Sequence, residues 1–238
     1  MPVKSLFDLH THTVASGHAY STLKENLAAA KAKGLIAMGT SDHSPGMPGS
    51  AEKTFFQNYR IFPKSVNGIR LLKGMEVNIT DFEGNLDGGQ VMREMEYVIA
   101  SLHSHSIQPG SAEENTQAVI GAMKNPWVKI IGHLDDGRYP MDYEKVVQAA
   151  SSFGVALELN NSSLLDSSAR ENGRHWGRIL IQQAAIHHSY IVMGSDAHIW
   201  CDVGRMDEAQ KVIEEISFPN EKILNYTQSG LEWILRKR

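Results

Sequence analysis

Seven short apolar runs recur along the chain, at residues 6–9, 35–40, 71–77, 97–102, 128–132, 155–159 and 190–194. Each is about strand length and rich in Ile, Val, Leu or Met, as strands covered on both faces tend to be. Helical patterns lie between them. Residues 22–33, rich in Ala, Leu and Lys, end at Gly34, a helix stop. Residues 113–124, 142–153 and 170–185 read similarly, and Gly154 follows the stretch 142–153. Residues 204–216 and 230–236 close the chain as helices. Strand–helix units of this length imply parallel strands with right-handed crossovers. Glu83-Gly84-Asn85 is a turn signal, so a hairpin is expected across 76–87. No Pro/Ser-rich linker, low-complexity block or short repeat interrupts the pattern, which predicts one domain over residues 1–238.

The apolar runs close on polar groups. The first ends in Asp8-Leu9-His10-Thr11-His12, the second in Ser41-Asp42-His43 and the third in Gly74-Met75-Glu76-Val77-Asn78. The fourth ends in Ser101-Leu102-His103, the fifth in Gly132-His133, the sixth in Glu158-Leu159-Asn160-Asn161 and the last in Ser195-Asp196-Ala197-His198. Carboxyl ends of strands are where α/β barrels place their active sites. His10 and His12, two apart on extended chain, leave the same face, and Asp196 and His198 repeat the device. A barrel gathers seven strand ends around one mouth, whereas an open sheet spreads them along an edge. The expected fold is therefore an α/β, distorted (βα)7 TIM-like barrel.

A lone buried histidine is most often a hydrogen-bonded core residue. Here seven of the eleven histidines lie at or just beyond run ends, which that explanation does not cover. Several imidazoles and carboxylates packed together would carry a large desolvation and repulsion cost unless cations offset it. Metal binding is the expected reason for the pattern.

Composition narrows the class. The chain has 238 residues, 42% hydrophobic and 21% charged, with a formal net charge of −4. That balance, with no Lys/Arg cluster beyond Arg236-Lys237-Arg238, argues against nucleic acid as a partner. No run approaches the ~20 apolar residues that span a bilayer. The opening MPVKSLFDLHTHT lacks a signal peptide's apolar core, and the single cysteine, Cys201, suits a reducing compartment, so a cytoplasmic protein is expected. A homo-oligomer is compatible with the sequence.

The ordered set of HTH, Ser-Asp-His, Gly-Met-Glu-Val-Asn, the two His-ended strands and Gly-Ser-Asp-Ala-His resembles the PHP family (polymerase and histidinol phosphatase). THTVASGHAYSTL, LELNNSS and GSDAH look most like its YcdX-type branch of stand-alone bacterial phosphatases. The resemblance implies three divalent metal ions, zinc first, with manganese or iron as alternatives. One ion would take His10, His12, Glu76 and Asp196; a second would share Glu76 and add His103 and His133; a third would take His18, His43 and His198. Glu76, Asp196 and His198 would carry the catalytic role. The implied substrate is a small-molecule phosphate monoester, attacked in line by a metal-bound hydroxide, with the cations neutralising the phosphate oxygens.

Some features depart from that pattern or stand outside it. Where many relatives have His-Pro after the fifth strand, this chain has His133-Leu134-Asp135-Asp136. His105 competes with His103, which is favoured because it directly ends its run. Asp42 and Asp8 are expected to orient neighbouring histidines rather than touch metal. Arg60 is a phosphate-gripping candidate or a surface arginine, and Asn160 and Asn161 line the pocket or satisfy backbone. His175, His187 and His188 belong to helix surroundings, and Cys201 reads as structural. Trp127, Trp176 and Trp233 read as packing residues, with Trp200 at the rim. Two rival classes remain. An amidohydrolase-like binuclear hydrolase would need a bridging lysine where His103 stands, and a non-catalytic metal-binding module would not need the full ligand set.

Overall fold

The computed structural model describes residues 3–238. It holds eight strands, β1 (Phe7–Asp8), β2 (Ala37–Thr40), β3 (Ser65–Val66), β4 (Ile69–Asn78), β5 (Tyr97–Ser101), β6 (Val128–Ile131), β7 (Ala156–Asn160) and β8 (Ile191–Gly194). Seven are parallel in the order β1-β2-β4-β5-β6-β7-β8. These are the seven apolar runs, in a nearly closed barrel. β4 is long enough to serve two neighbours, pairing Arg70–Lys73 with β2 and Gly74–Asn78 with β5.

β3 is an addition, pairing antiparallel with the start of β4. Its turn is Asn67-Gly68, both with positive φ (51° and 87°), the conformation that an Asn-Gly hairpin turn requires. The hairpin expected across 76–87 is a turn instead. Thr80 N–H donates to Asn85 O and one isolated bridge joins Ile79 to Leu86, with no second strand formed.

Helices α1 (Leu23–Ala32), α2 (Lys53–Gln57), α3 (Ala112–Met123), α4 (Tyr143–Phe153), α5 (Gly173–Ile186), α6 (Asp207–Ile216) and α7 (Gln228–Leu235) complete the fold. Thr22 with Glu25 and Ser111 with Glu114 form capping boxes that start α1 and α3. Two helices begin later than their patterns suggested. α5 starts at Gly173 rather than 170, which leaves Arg170 in a loop, and α6 starts at Asp207, past Gly204 with φ 69°.

The barrel interior is filled by Phe7, Leu9, Leu72, Tyr97, Ile99, Ile130, Ala156 and Val192, with Leu231 and Ile234 of α7 packed against them. Tyr97 needs glycines opposite it. A Cβ at Gly39 would lie 1.9 Å from its hydroxyl oxygen and one at Gly74 2.2 Å from its Cζ, and the hydroxyl donates to Leu9 O at 2.6 Å. β1 and β8 share no ladder. Their seam is closed at the top by a Thr11–Ala197 bridge, and lower down by buried Asn225, which links Phe7 O to Met193 N–H and C=O.

Candidate metal centre

All nine candidate residues converge on the carboxyl end of the barrel. His10 and His12 follow β1, and His18 follows a single 3-10 turn, Val14–Ser16. His43 follows β2, Glu76 lies in β4, His103 and His133 follow β5 and β6, and Asp196 and His198 follow β8. Glu76 is the hub. Its Oε2 lies 3.3 Å from His10 Nε2, 3.4 Å from His12 Nε2 and 2.9 Å from His43 Nδ1. Its Oε1 lies 3.0 Å from His133 Nε2 and 3.5 Å from His103 Nε2. Asp196 Oδ1 sits 3.3–3.5 Å from nitrogens of His10, His12 and His198. On the outer side His18 Nε2 and His198 Nε2 meet at 3.0 Å.

Three groups have donor atoms mutually within 4.8 Å: His10–His12–Glu76, His43–Glu76–His103 and His12–His43–His198. His12 and His43 thus each stand between two groups. His105 stacks on His103 with ring centroids 5.6 Å apart, exposed, while His103 faces Glu76.

Four buried atoms here, His10 Nε2, His12 Nε2, His43 Nδ1 and Glu76 Oε2, make no hydrogen bond. Buried polar atoms are almost always satisfied, so four orphans facing one another mark a place built for something the protein atoms do not supply. Nitrogen and carboxylate donors without a thiolate suit zinc, manganese or iron. The residues present fit a cluster of divalent cations.

The electrostatics agree with that fit. Burial works against the charged form of His10, but Glu158, Asp196 and Glu76 prevail and hold it well above the usual histidine range. Burial, then His198 and His43, hold His12 well below it. Burial opposes ionisation of Glu76 and Asp196 too, yet His10 and the other cationic neighbours keep both well below the usual carboxylate range.

The far nitrogens of the rings are fixed from behind. His10 Nδ1 contacts Glu158 Oε1 at 2.7 Å, and His103 Nδ1 contacts Asn78 Oδ1 at 2.7 Å. His12 Nδ1 contacts Ser16 Oγ at 3.0 Å, and Ser16 donates to Asp42 at 2.7 Å, so Asp42 acts on a histidine through a serine. Such partners fix the ring orientation of a ligand and its basicity. Asp8 does not orient an imidazole as expected. It accepts from the backbone of His10, Ser195 and Gly204 and from Ser195 Oγ, fastening the β1–β8 seam. Gly194 is needed beside Glu158, since a Cβ there would lie 1.9 Å from Oε1. His133 and Asp196 have φ of 27° and 53°. Non-glycine residues in that region carry about 1–3 kcal/mol of strain and cluster at functional sites.

Sequence reasoning passed over Arg170 and Glu158 as site residues. Arg170 Nη2 donates to Asp196 Oδ2 at 2.8 Å, and Nη1 donates to Asn160 Oδ1 and Ser163 Oγ. The helical pattern masked it, because its run includes three residues that fold as loop. Asn160 thus belongs to this network, whereas Asn161 caps the start of α6 through backbone N–H groups of Glu208 and Ala209. Arg60 lies in a 3-10 turn and lines a separate hollow with Phe55 and Ile61. Cys201 is exposed rather than structural, and Trp127 is more than a third exposed. Trp176 and Trp233 do pack, on Tyr143 and Tyr190. Trp200 is exposed beside Ser21, outside the cleft.

The mouth opens into a cleft of ≈ 380 Å³ lined by His18, His103, His133, Asp196 and His198 together with Arg138, Arg170 and several serines. The PHP domain model matches residues 8–217. The chain belongs to the PHP family. A protein of Thermoanaerobacter sp. (strain X514) named "probable phosphatase" is 42% identical over 238 residues, covering 99% of this chain and 96% of that one. Another so named, from Acetivibrio thermocellus, is 41% identical over 239 residues, covering 99% and 98%. Among solved structures, the histidinol phosphate phosphatase of Lactococcus lactis, complexed with zinc, L-histidinol and phosphate, superposes with a TM-score of 0.61. At 19% identity, over 90% of this chain and 95% of that one, it supports the barrel fold of this PHP protein. No helix among the described residues is long and apolar enough to cross a membrane.

Proposed function

We propose that this PHP protein is a metal-dependent phosphatase that hydrolyses a small-molecule phosphate monoester at a trinuclear centre. The carrying observation is the set of four unpartnered buried atoms on His10, His12, His43 and Glu76, all facing one space. PHP-family membership and relatives named "probable phosphatase" support the reaction class. His10, His12, Glu76 and Asp196 would hold one ion, Glu76 with His103 and His133 a second, and His18, His43 and His198 the third. Zinc is the favoured metal and manganese or iron the alternatives. Bound divalent ions supply positive charge against the phosphate oxygens and the acidity that makes water a nucleophile near neutral pH.

The chain's own residues do the remaining work. Glu76 and Asp196 stay ionised and place negative charge at the floor of the mouth. Glu158 holds His10 by its Nδ1, which keeps Nε2 aimed at Glu76 and Asp196. Arg170 fixes one oxygen of Asp196 and lines the cleft, adding a cation where a phosphate dianion enters. Ser101 Oγ donates to Glu76 Oε1 at 2.6 Å and locks the hub's rotamer.

The test is metal content per chain after purification without chelator, paired with phosphate release from a panel of esters and with amide and ester cleavage as controls. About three equivalents with phosphate release is the expected result. A metal-loaded protein that cleaves amides and releases no phosphate from any ester would overturn the reading.

A further inference from the structure

We infer that the cleft selects phosphate esters whose alcohol carries a second anionic group, and that Arg138 is the residue that reads it. The inference rests on the phosphatase reading and concerns the half of the substrate that leaves as alcohol. One continuous cleft contains both the histidine cluster and Arg138, with the hydroxyls of Ser104, Ser162, Ser167 and Ser168 along it. Among the described residues Asp196 is the only carboxylate in its lining, and its second oxygen is taken by Arg170. A substrate ammonium group would find no free carboxylate in that lining among the described residues. Arg170 is spent on Asp196, Asn160 and Ser163, which leaves Arg138 as the guanidinium still able to bind.

Arg138 is aimed rather than loose. Buried Asp136 takes its Nε through both carboxylate oxygens, at 3.0 and 2.9 Å, and its Nη2 through Oδ2, while Nη1 makes no bond among the described residues. The loop beneath is pinned to its neighbours. Gly137 N–H donates to Glu171 O at 2.8 Å, and Tyr139 N–H donates to Asp136 O at 3.0 Å. Tyr139 hydroxyl donates to Ile107 O at 2.9 Å. A planar guanidinium held on one edge presents the other to a carboxylate or phosphate. With the side chain one-third exposed at the rim, the partner comes from the cleft. The serines suit a hydroxylated carbon chain between the two anionic ends.

The metal-loaded full chain is assayed with glycerol 1-phosphate against 3-phosphoglycerate, with fructose 6-phosphate against fructose 1,6-bisphosphate, and with phosphoethanolamine. At least one anionic member should exceed its counterpart in kcat/KM by about tenfold or more, a charge-assisted hydrogen bond's worth, with phosphoethanolamine below glycerol 1-phosphate. The pair that responds tells a carboxylate from a phosphate. Arg138→Gln should bring that ratio near one, mainly through KM; a role confined to neutralising Asp136 would change both substrates alike and leave the ratio standing. Equal turnover of every ester by the unaltered protein overturns this inference without any variant, as does a preference that survives Arg138→Gln. Absence of turnover on all probes, p-nitrophenyl phosphate included, would instead defeat the phosphatase reading beneath it.

Discussion

Asn225, low in the barrel, and His10, at its mouth, are almost equally buried, at 0% and 1% exposure, yet the two ends treat buried polar atoms in opposite ways. Asn225 Oδ1 accepts from Met193 N–H at 2.6 Å, and its Nδ2 donates to Met193 O and Phe7 O at 2.9 and 3.1 Å. Nearby, Arg238 donates to Met123 O and Val128 O, and Arg236 to Gly154 O, while its guanidinium lies 3.5 Å over the Trp233 ring. At the mouth His10 and His12 are held from behind at Nδ1 while their Nε2 atoms have no partner. Asn225, which fastens the barrel seam, is satisfied within the fold; His10 and His12 are satisfied on one side only. An unmade hydrogen bond of this kind costs about 1–3 kcal/mol, so four together must be offset by what binds there.

The largest expected effect lies at the hub of the mouth. Glu76→Gln keeps the shape but removes the charge shared by five histidine contacts. Phosphatase activity should fall by about a thousandfold, with metal content reduced. Undiminished activity would break the bridging role assigned to Glu76.

Asn225→Ala is the mirror experiment lower in the barrel. It leaves one backbone donor and two acceptors of the seam without partners, at a cost of about 3 kcal/mol of stability in denaturant unfolding. Metal content per folded chain should not change. If that substitution strips metal as thoroughly as Glu76→Gln does, the two ends are not independent and the contrast fails.

A change one residue back from the ligands should fall between these. Glu158→Gln keeps a hydrogen-bonding partner for His10 but loses the charge that helps hold its basicity. Metal affinity should weaken about 10–100-fold, measured by competition with a chelator, with full occupancy recovered at high metal concentration. No change in affinity would mean that the Glu158–His10 pair is structural, like Asn225.

How much of this was legible in the sequence differs between the two ends for the same reason. The mouth announces itself because ligand chemistry admits few residue types, so the HTH, Ser-Asp-His and Gly-Ser-Asp-Ala-His segments stand out at the ends of apolar runs. Residues that act from behind do not. Glu158 reads as one carboxylate inside a strand, Arg170 as the start of a helical pattern, and Asn225 falls between the patterned stretches 204–216 and 230–236. Their roles depend on partners 26 to 218 positions away, which no local spacing reveals. The Asn67-Gly68 turn was readable in principle, but its strand β3 is two residues long and exposed at its start, too short for periodicity to register.

The smallest expected effect is at Lys129 in β6, whose ammonium donates to Pro126 O at 2.9 Å. Burial, then the charges of Arg238 and Arg236, push its pKa down from 10.5 to about 8. Below pH 8 both folded and unfolded chains carry the proton, and the folded chain bears the full penalty for holding it. Between about 8 and 10.5 the unfolded chain keeps a proton that the folded one has released, so stability from this group rises with pH. Lys129→Met removes the penalty at neutral pH. The variant should melt about 1–3 °C higher at pH 7, a modest shift because the folded ammonium keeps its bond to Pro126 O, and the advantage should vanish as pH approaches 10.5. Activity should be unaffected, since Lys129 stands apart from the cleft lining. A gain constant across that pH range would show that better packing of the methionine, and not the suppressed charge, is responsible.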